Sequence, residues 1–194
     1  MDFTYIFKSK TRIALFRLYF TNPDQAYYLR ELEKILDLPV SMIRKELVRL
    51  EAAGIFQSVK KGNLTYFSLH KSYPLYAELK SIVAKTIGIN GLLKTTLQKI
   101  PKIDLAFIYG SYAKQEANAA SDIDVFIIGN VDEDILIRKI KIIEKMVNRE
   151  INYSIYSSRD MKKKIKERDG FIRDVINSPK IFLIGDANAL RKYS

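Results

Sequence analysis

Residues 110 to 124 read Gly110-Ser111-Tyr112-Ala113-Lys114-Gln115-Glu116-Ala117-Asn118-Ala119-Ala120-Ser121-Asp122-Ile123-Asp124. An apolar run, Leu105 to Tyr109, delivers the chain into Gly110-Ser111, and a second, Val125 to Ile128, follows the two aspartates. Alternate residues of an extended strand share a face, so Asp122 and Asp124 are expected to present parallel carboxylates with Cα atoms roughly 6–7 Å apart. Carboxylates that close repel unless a cation lies between them. Mg2+ held by one or two carboxylates together with substrate phosphates meets that need. Gly110-Ser111 lies where a strand turns, and bare N–H groups there can meet a phosphate. An Asp-x-Asp alone is commonly solvated and a Gly-Ser alone is a turn; the combination between two apolar runs points to phosphoryl or nucleotidyl transfer.

Gly-Ser, a gap of ten residues, then Asp-Ile-Asp resembles the nucleotidyltransferase superfamily, in particular its minimal stand-alone members. The resemblance implies that Gly110, Ser111, Asp122 and Asp124 bind a nucleoside triphosphate, with ATP the first candidate. It also implies that Asp122 and Asp124 are the catalytic pair and hold Mg2+. In that family a third carboxylate on a later strand completes the site. Here the expected strand is Ile151 to Tyr156, and the acidic position falls on Asn152, an amide that cannot carry the charge. Glu150 shares the parity of Asn152 and could substitute if the strand starts early, although a surface charge at a helix end or strand edge is the favoured reading. Lys114-Gln115 also stands where many members show Arg-Gly. Nucleotide binding is therefore better supported than turnover. Minimal relatives transfer nucleotides to proteins, including antitoxins that modify a partner toxin, which implies a protein acceptor; the rival is a non-catalytic domain that senses a nucleotide or holds a partner.

The bulk composition narrows the alternatives. A hydrophobic content of 47% with 28% charged residues in 194 residues belongs to a globular chain of one large or two small domains. The absence of cysteine excludes disulfides and thiolate zinc sites and fits a reducing cytoplasm. A single histidine, His70, leaves no room for a multi-histidine metal site and reads as a surface residue at a strand end. No apolar signal core occupies residues 1–10 and no apolar stretch approaches 18 residues, so the expectation is a soluble, cytoplasmic protein with no membrane partner. The net charge of +11 points to a polyanion. Residues 1–88 hold 14 Lys/Arg against 8 Asp/Glu and the remainder 19 against 14, so charge does not say which half meets it. Lysine enrichment of this kind also occurs in heat-adapted proteins.

The first half is patterned as helix, helix, helix, hairpin. Ile13 to Phe20 forms an apolar first helix, Tyr28 to Leu36 a second with Leu29, Leu32 and Leu36 on one side, and Asp37-Leu38-Pro39 breaks it. A third helix is expected from about Pro39 to Ala53, stopped by Gly54, with Ile43, Leu47 and Leu50 on its core face. Ser41, Lys45 and Arg49 lie opposite, with Met42 and Arg44 at the margins. Strands Ile55–Val59 and Leu64–Leu69 flank Lys60-Lys61-Gly62-Asn63, where Gly then Asn suits a type II′ turn. This order resembles a winged helix-turn-helix regulator. The resemblance implies binding of double-stranded DNA, with the third helix (Ser41, Met42, Arg44, Lys45, Arg49) in the major groove and Lys60 and Lys61 on phosphates or the minor groove. A helix from Pro74 to Ile87 follows, with Leu75, Leu79, Ile82 and Thr86 in a stripe. In many such regulators this helix pairs two subunits, which implies a homodimer through residues 75–87; packing within its own domain explains the stripe equally well.

Gly88-Ile89-Asn90-Gly91 reads as a domain boundary. Beyond it a helix from Leu92 to Ile100, a strand from Asp104 and a short helix near Tyr112 to Ala117 are expected. The strand Asp122–Ile128, a helix from about Glu133 to Asn148 and the strand Ile151–Tyr156 come next. A basic helix with Lys162, Lys163, Lys164 and Lys166 follows, capped by Ser157 or Ser158 and read as a solvated face or a phosphate screen. A short helix Gly170–Asn177 and a strand Ile181–Ile184 close the pattern. The expected fold class is α+β in two domains: a winged helix-turn-helix domain over residues 1–88 with its trailing helix, and a small α/β nucleotidyltransferase-like sheet domain over residues 89–194. The expected function is a DNA-binding transcriptional regulator carrying a nucleoside-triphosphate and Mg2+ site.

Overall fold

A computed structural model of the chain describes residues 7–114 and 121–193. Two compact units emerge, residues 1–91 with 145–148, and residues 92–144 with 149–194. In the first unit the Ser9 side chain accepts from the Arg12 N–H and opens α1, Lys10–Thr21, supplying a partner to one of the free N–H groups at a helix start. A two-residue strand β1, Tyr27–Tyr28, precedes α2, Leu29–Leu36. Asp37 takes a left-handed φ of 54° to end that helix, and α3 runs Val40–Ala52. Strands β2, Phe56–Lys61, and β3, Leu64–Leu69, form the hairpin, and the sheet order is β1-β3-β2, all antiparallel. The third strand β1 has no sequence signal, because two residues carry no periodicity.

Leu15, Phe16, Leu18 and Tyr19 of α1, Leu32 of α2, and Ile43, Leu47 and Leu50 of α3 pack with Phe56, Phe67 and Leu69 of the hairpin. Each such side chain contributes about 1.5–3 kcal/mol when fully buried. The buried Tyr19 donates its hydroxyl to the Phe67 carbonyl at 3.1 Å, so this phenol is not orphaned in the core. The core face of α3 also buries Glu46, which accepts from Arg12 Nε at 2.5 Å. The hairpin is longer than expected: Lys60 and Lys61 belong to β2, and Lys61 pairs with Leu64 across a two-residue loop. Gly62 has φ +59° and Asn63 has no positive φ, the combination a type II′ turn uses. His70 follows β3 half-buried, its Nδ1 3.0 Å from the Gly54 carbonyl.

The trailing helix α4 spans Tyr76–Thr86, and its stripe is not the one expected. Val83 is buried and Tyr76 and Leu79 pack on the core, whereas Leu75 and Ile82 are exposed. The sequence pattern at i, i+4, i+7 selects a neighbouring stripe because Leu and Ile occur on both sides of this short helix. Within the Gly88–Gly91 stretch α5, Ile89–Leu97, begins.

The second unit is a four-stranded sheet of order β6-β5-β4-β7. Its strands are β4, Ile103–Tyr109; β5, Ile123–Gly129; β6, Ile151–Tyr156; and β7, Ile181–Ile184. β5 pairs parallel with β6, and β4 is antiparallel to both β5 and β7. Between them lie α6, Gly110–Ala113, and α7, Glu133–Val147; α8, Ser158–Lys166, and α9, Gly170–Asn177, separate β6 from β7, and α10, Ala187–Arg191, ends the order. The expected continuation of α6 to Ala117, and Gln115 with it, lies outside the described residues. Ser157, Asp169 and Asp186 cap α8, α9 and α10 through their side chains; α10 is an addition to the expected pattern, with Asp186 as its sequence signal. Leu105, Phe107, Phe126 and Ile128 cover one sheet face and pack on Met161, Ile172, Val175 and Leu190. The basic run of α8 is mostly exposed, with Lys163 paired to Glu167 and Lys164 to Asp169. Among the described residues no helix is long and apolar enough to cross a membrane.

Candidate functional site

Strand register assembles the site. Tyr109, the last residue of β4, pairs with Asp124, and Asp124 pairs with Asn152. The chain leaves β4 through Gly110 at φ +71°, and a Cβ there would collide with Asp124 Oδ2. Only glycine admits both that backbone and that close approach. Gly110-Ser111 is thereby fixed beside the carboxylate, with the first N–H groups of α6 lacking intrahelical acceptors. Asp122 stands one residue ahead of β5 and is exposed, whereas Asp124 is half-buried within the strand. Burial first, and the neighbouring Asp122 charge second, push the Asp124 carboxyl above its usual range. Two carboxylates in mutual repulsion are the residues that could hold a divalent cation. Among the described residues no group of three or more His, Cys, Asp or Glu side chains could do so.

On β6 the register partner of Asp124 is Asn152, where the resemblance leads one to expect an acid. Asn152 lies on β6 and its Nδ2 donates to Asp122 Oδ2 at 3.1 Å. An acid at that position would add a third negative charge; the amide instead uses a donor to hold Asp122. Glu150 stands just before β6 and is exposed, and its backbone carbonyl accepts from the Ile123 N–H at 3.0 Å. That bond fixes its backbone against the Asp122–Asp124 segment.

Arg149 has no counterpart in the sequence reading. It is buried, donates from Nε to the Ser121 carbonyl at 2.7 Å, and sets its guanidinium 5.6 Å from the centre of the Tyr112 ring. It thus joins the residue before Asp122, the helix that follows Gly110, and the entry to β6. Burial lowers its affinity for the proton, while Tyr112 and Asp122 oppose that change. Burial pushes the Tyr112 phenol up to about 12. The cation–π stack is invisible in sequence because residues 112 and 149 are distant, and Ser121 takes part only through its backbone. Tyr109 likewise carries no sequence signal beyond its place in an apolar run: burial first raises its pKa, with Ser154 opposing that change.

In the first unit Ser41, Met42, Arg44, Lys45 and Arg49 are exposed on α3, and Lys60 and Lys61 are exposed on β2. Arg49 is 4.0 Å from the buried Glu46, and Lys61 sits 5.6 Å from the centre of the Tyr66 ring. Arg44 and Lys45 point outward from a helix whose opposite face is buried, and Lys60 is exposed on β2.

Residues 92–185 match the family model described as polymerase beta, nucleotidyltransferase. This part of the chain is similar to nucleotidyltransferase domains. No curated protein matches the chain. A solved structure described as "Crystal structure of the toxin-antitoxin with AMP-PNP" is similar over 54% of this chain and 79% of that one, with 14% identity and a TM-score of 0.39.

Proposed function

We propose that the chain is a DNA-binding regulator whose nucleotidyltransferase-like domain binds a nucleoside triphosphate with Mg2+ and uses it as a signal, with little or no turnover. The observation that carries the reading is the Asn152 bond to Asp122. In this scheme Gly110 and Ser111 hold phosphate oxygens through the turn, and Asp122 and Asp124 hold the cation. Magnesium, when bound, supplies neutralisation of the two carboxylates and charge withdrawal from the triphosphate. Asn152 orients Asp122 but cannot accept a proton from an attacking hydroxyl. A nucleotide is retained and nothing activates its acceptor.

The first unit supplies the output. Its order of α1, β1, α2, α3 and a β2–β3 hairpin fits a winged helix-turn-helix. In that arrangement α3 enters the major groove and Lys60 and Lys61 meet phosphates. Nucleotidyl transfer to a protein acceptor is the second reading, favoured by the intact Gly-Ser and Asp pair. The domain division at residue 88, the cytoplasmic location and pairing of two copies through residues 75–87 belong to the same proposal.

Calorimetry with Mg2+ and ATP tests the binding reading: the full chain binds, and the D122N/D124N variant does not. Equal affinity in the variant removes the site. Labelled ATP with cell extract tests turnover. A low yield that N152D raises supports a site disabled by one amide; efficient transfer by the wild type, abolished by E150Q, supports the enzyme instead.

A further inference from the structure

Phe171, the second residue of α9, is 43% exposed. Among the described residues it is the only aromatic side chain on the surface to that degree. A lone exposed apolar residue is ordinary; its neighbours make this one informative. The ring lies 6.2 Å from the Tyr109 ring at 75° and 6.3 Å from the buried Phe126 ring, so its inner side is anchored while the rest faces water. Tyr109 is the register partner of Asp124 and the residue before Gly110. Its ring packs edge-on against Phe107 and Phe126 of the sheet. Asp169 caps α9 two residues before Phe171, and a Cβ at Gly170 would meet nothing within 4 Å. Contacting aromatic rings therefore lead from the candidate cation and phosphate site, through Tyr109, to an exposed phenyl ring.

We propose that Phe171, backed by Tyr109, is the platform on which the base of the bound nucleoside triphosphate stacks. This rests on the nucleotide-binding reading above and adds the base to it. A phenyl face rewards stacking area and does not read hydrogen-bonding edges. The site therefore takes purines in preference to pyrimidines and separates adenine from guanine weakly.

The chain has no tryptophan, so F171W places a single indole on the platform. Its emission is expected to change on addition of Mg-ATP or Mg-GTP and to stay constant with Mg-tripolyphosphate, which has no base. In calorimetry with the full chain, F171A and F171L are expected to weaken Mg-ATP binding roughly fivefold to a hundredfold and to leave Mg-tripolyphosphate binding unchanged. Wild-type affinity for Mg-UTP is expected below that for Mg-ATP and Mg-GTP. The platform is overturned if F171A weakens tripolyphosphate and ATP alike, which marks a packing role, or if UTP binds as tightly as ATP. Tripolyphosphate binding that depends on Asp122 and Asp124, with ATP no tighter, overturns the platform and spares the phosphate site. Wild-type protein that binds neither ligand overturns both.

Discussion

Gly62 at the hairpin tip and Gly110 at the end of β4 have nearly the same φ, +59° and +71°, yet a Cβ at Gly62 would meet nothing within 4 Å while one at Gly110 would strike Asp124 Oδ2. The first turn needs glycine for its backbone alone; the second needs it for its backbone and because a carboxylate occupies the space. The hairpin presents Lys60 and Lys61 to solvent, where function rests on charge and tolerates small displacements. The β4–β5–β6 edge presents groups that fix one another: Gly110 against Asp124, Asn152 on Asp122, Arg149 on Ser121 and Tyr112. Substitutions should accordingly act through charge at the hairpin and through geometry at the sheet edge.

The largest effect is expected from Arg149. R149A removes the Nε–H that Arg149 donates to the Ser121 carbonyl, next to Asp122. The Mg2+ concentration needed for half-maximal nucleotide binding should rise roughly ten- to a hundredfold, the usual scale for groups that orient metal ligands. R149K keeps the charge and loses the planar stack, so it should recover only part; full recovery would show that charge alone matters and geometry does not.

G110A should be the more damaging member of a matched glycine pair. The left-handed backbone alone costs an L-residue about 1–2 kcal/mol, and displacement of Asp124 adds to it. G62A should cost only the backbone share. Urea denaturation of both variants measures the difference, and equal losses would break the contrast between the two turns.

At the hairpin, K60A/K61A should weaken binding to every duplex and reduce the magnitude of the salt slope by up to about two, near 0.9 for each phosphate no longer neutralised. Mg-nucleotide binding should be unchanged. A selective weakening on one DNA sequence would instead assign these lysines to base readout.

The smallest effect concerns Asp124 without metal. Its pKa is raised in the folded protein by burial and by Asp122, so the native state holds its proton to higher pH than the unfolded chain. Stability then falls as pH rises through that window and stays lower above it. D124N should remove this contribution and raise the melting temperature at neutral pH in the absence of Mg2+. An unchanged or lower melting temperature would indicate that other interactions of Asp124 outweigh the repulsion.

The strands β6 and β7 and the helix α9 have the bounds their sequence predicts, Ile151–Tyr156, Ile181–Ile184 and Gly170–Asn177, because apolar runs between turn residues are local signals. Parity puts Asn152 on the sheet face of Asp124, and the register of β5 with β6 then sets the two side by side. The α4 stripe differs from its pattern, since Leu75, Leu79 and Ile82 resemble a core face as well as Val83 does. Periodicity reports that a helix is amphipathic, and neighbours decide which stripe is covered.

What the sequence determined by itself is most of the elements, β1 and α10 apart, and the spacing of two aspartates behind a glycine turn, because propensity, periodicity and i, i+2 spacing act between residues close in the chain. Tertiary structure alone decided that Glu46 is buried against Arg12, that Arg149 clamps Ser121 and Tyr112, and that Phe171 stands beside Tyr109. Each of these joins residues far apart in sequence, and such a pairing exists only once strand register and helix packing have brought their side chains within a few ångströms of each other.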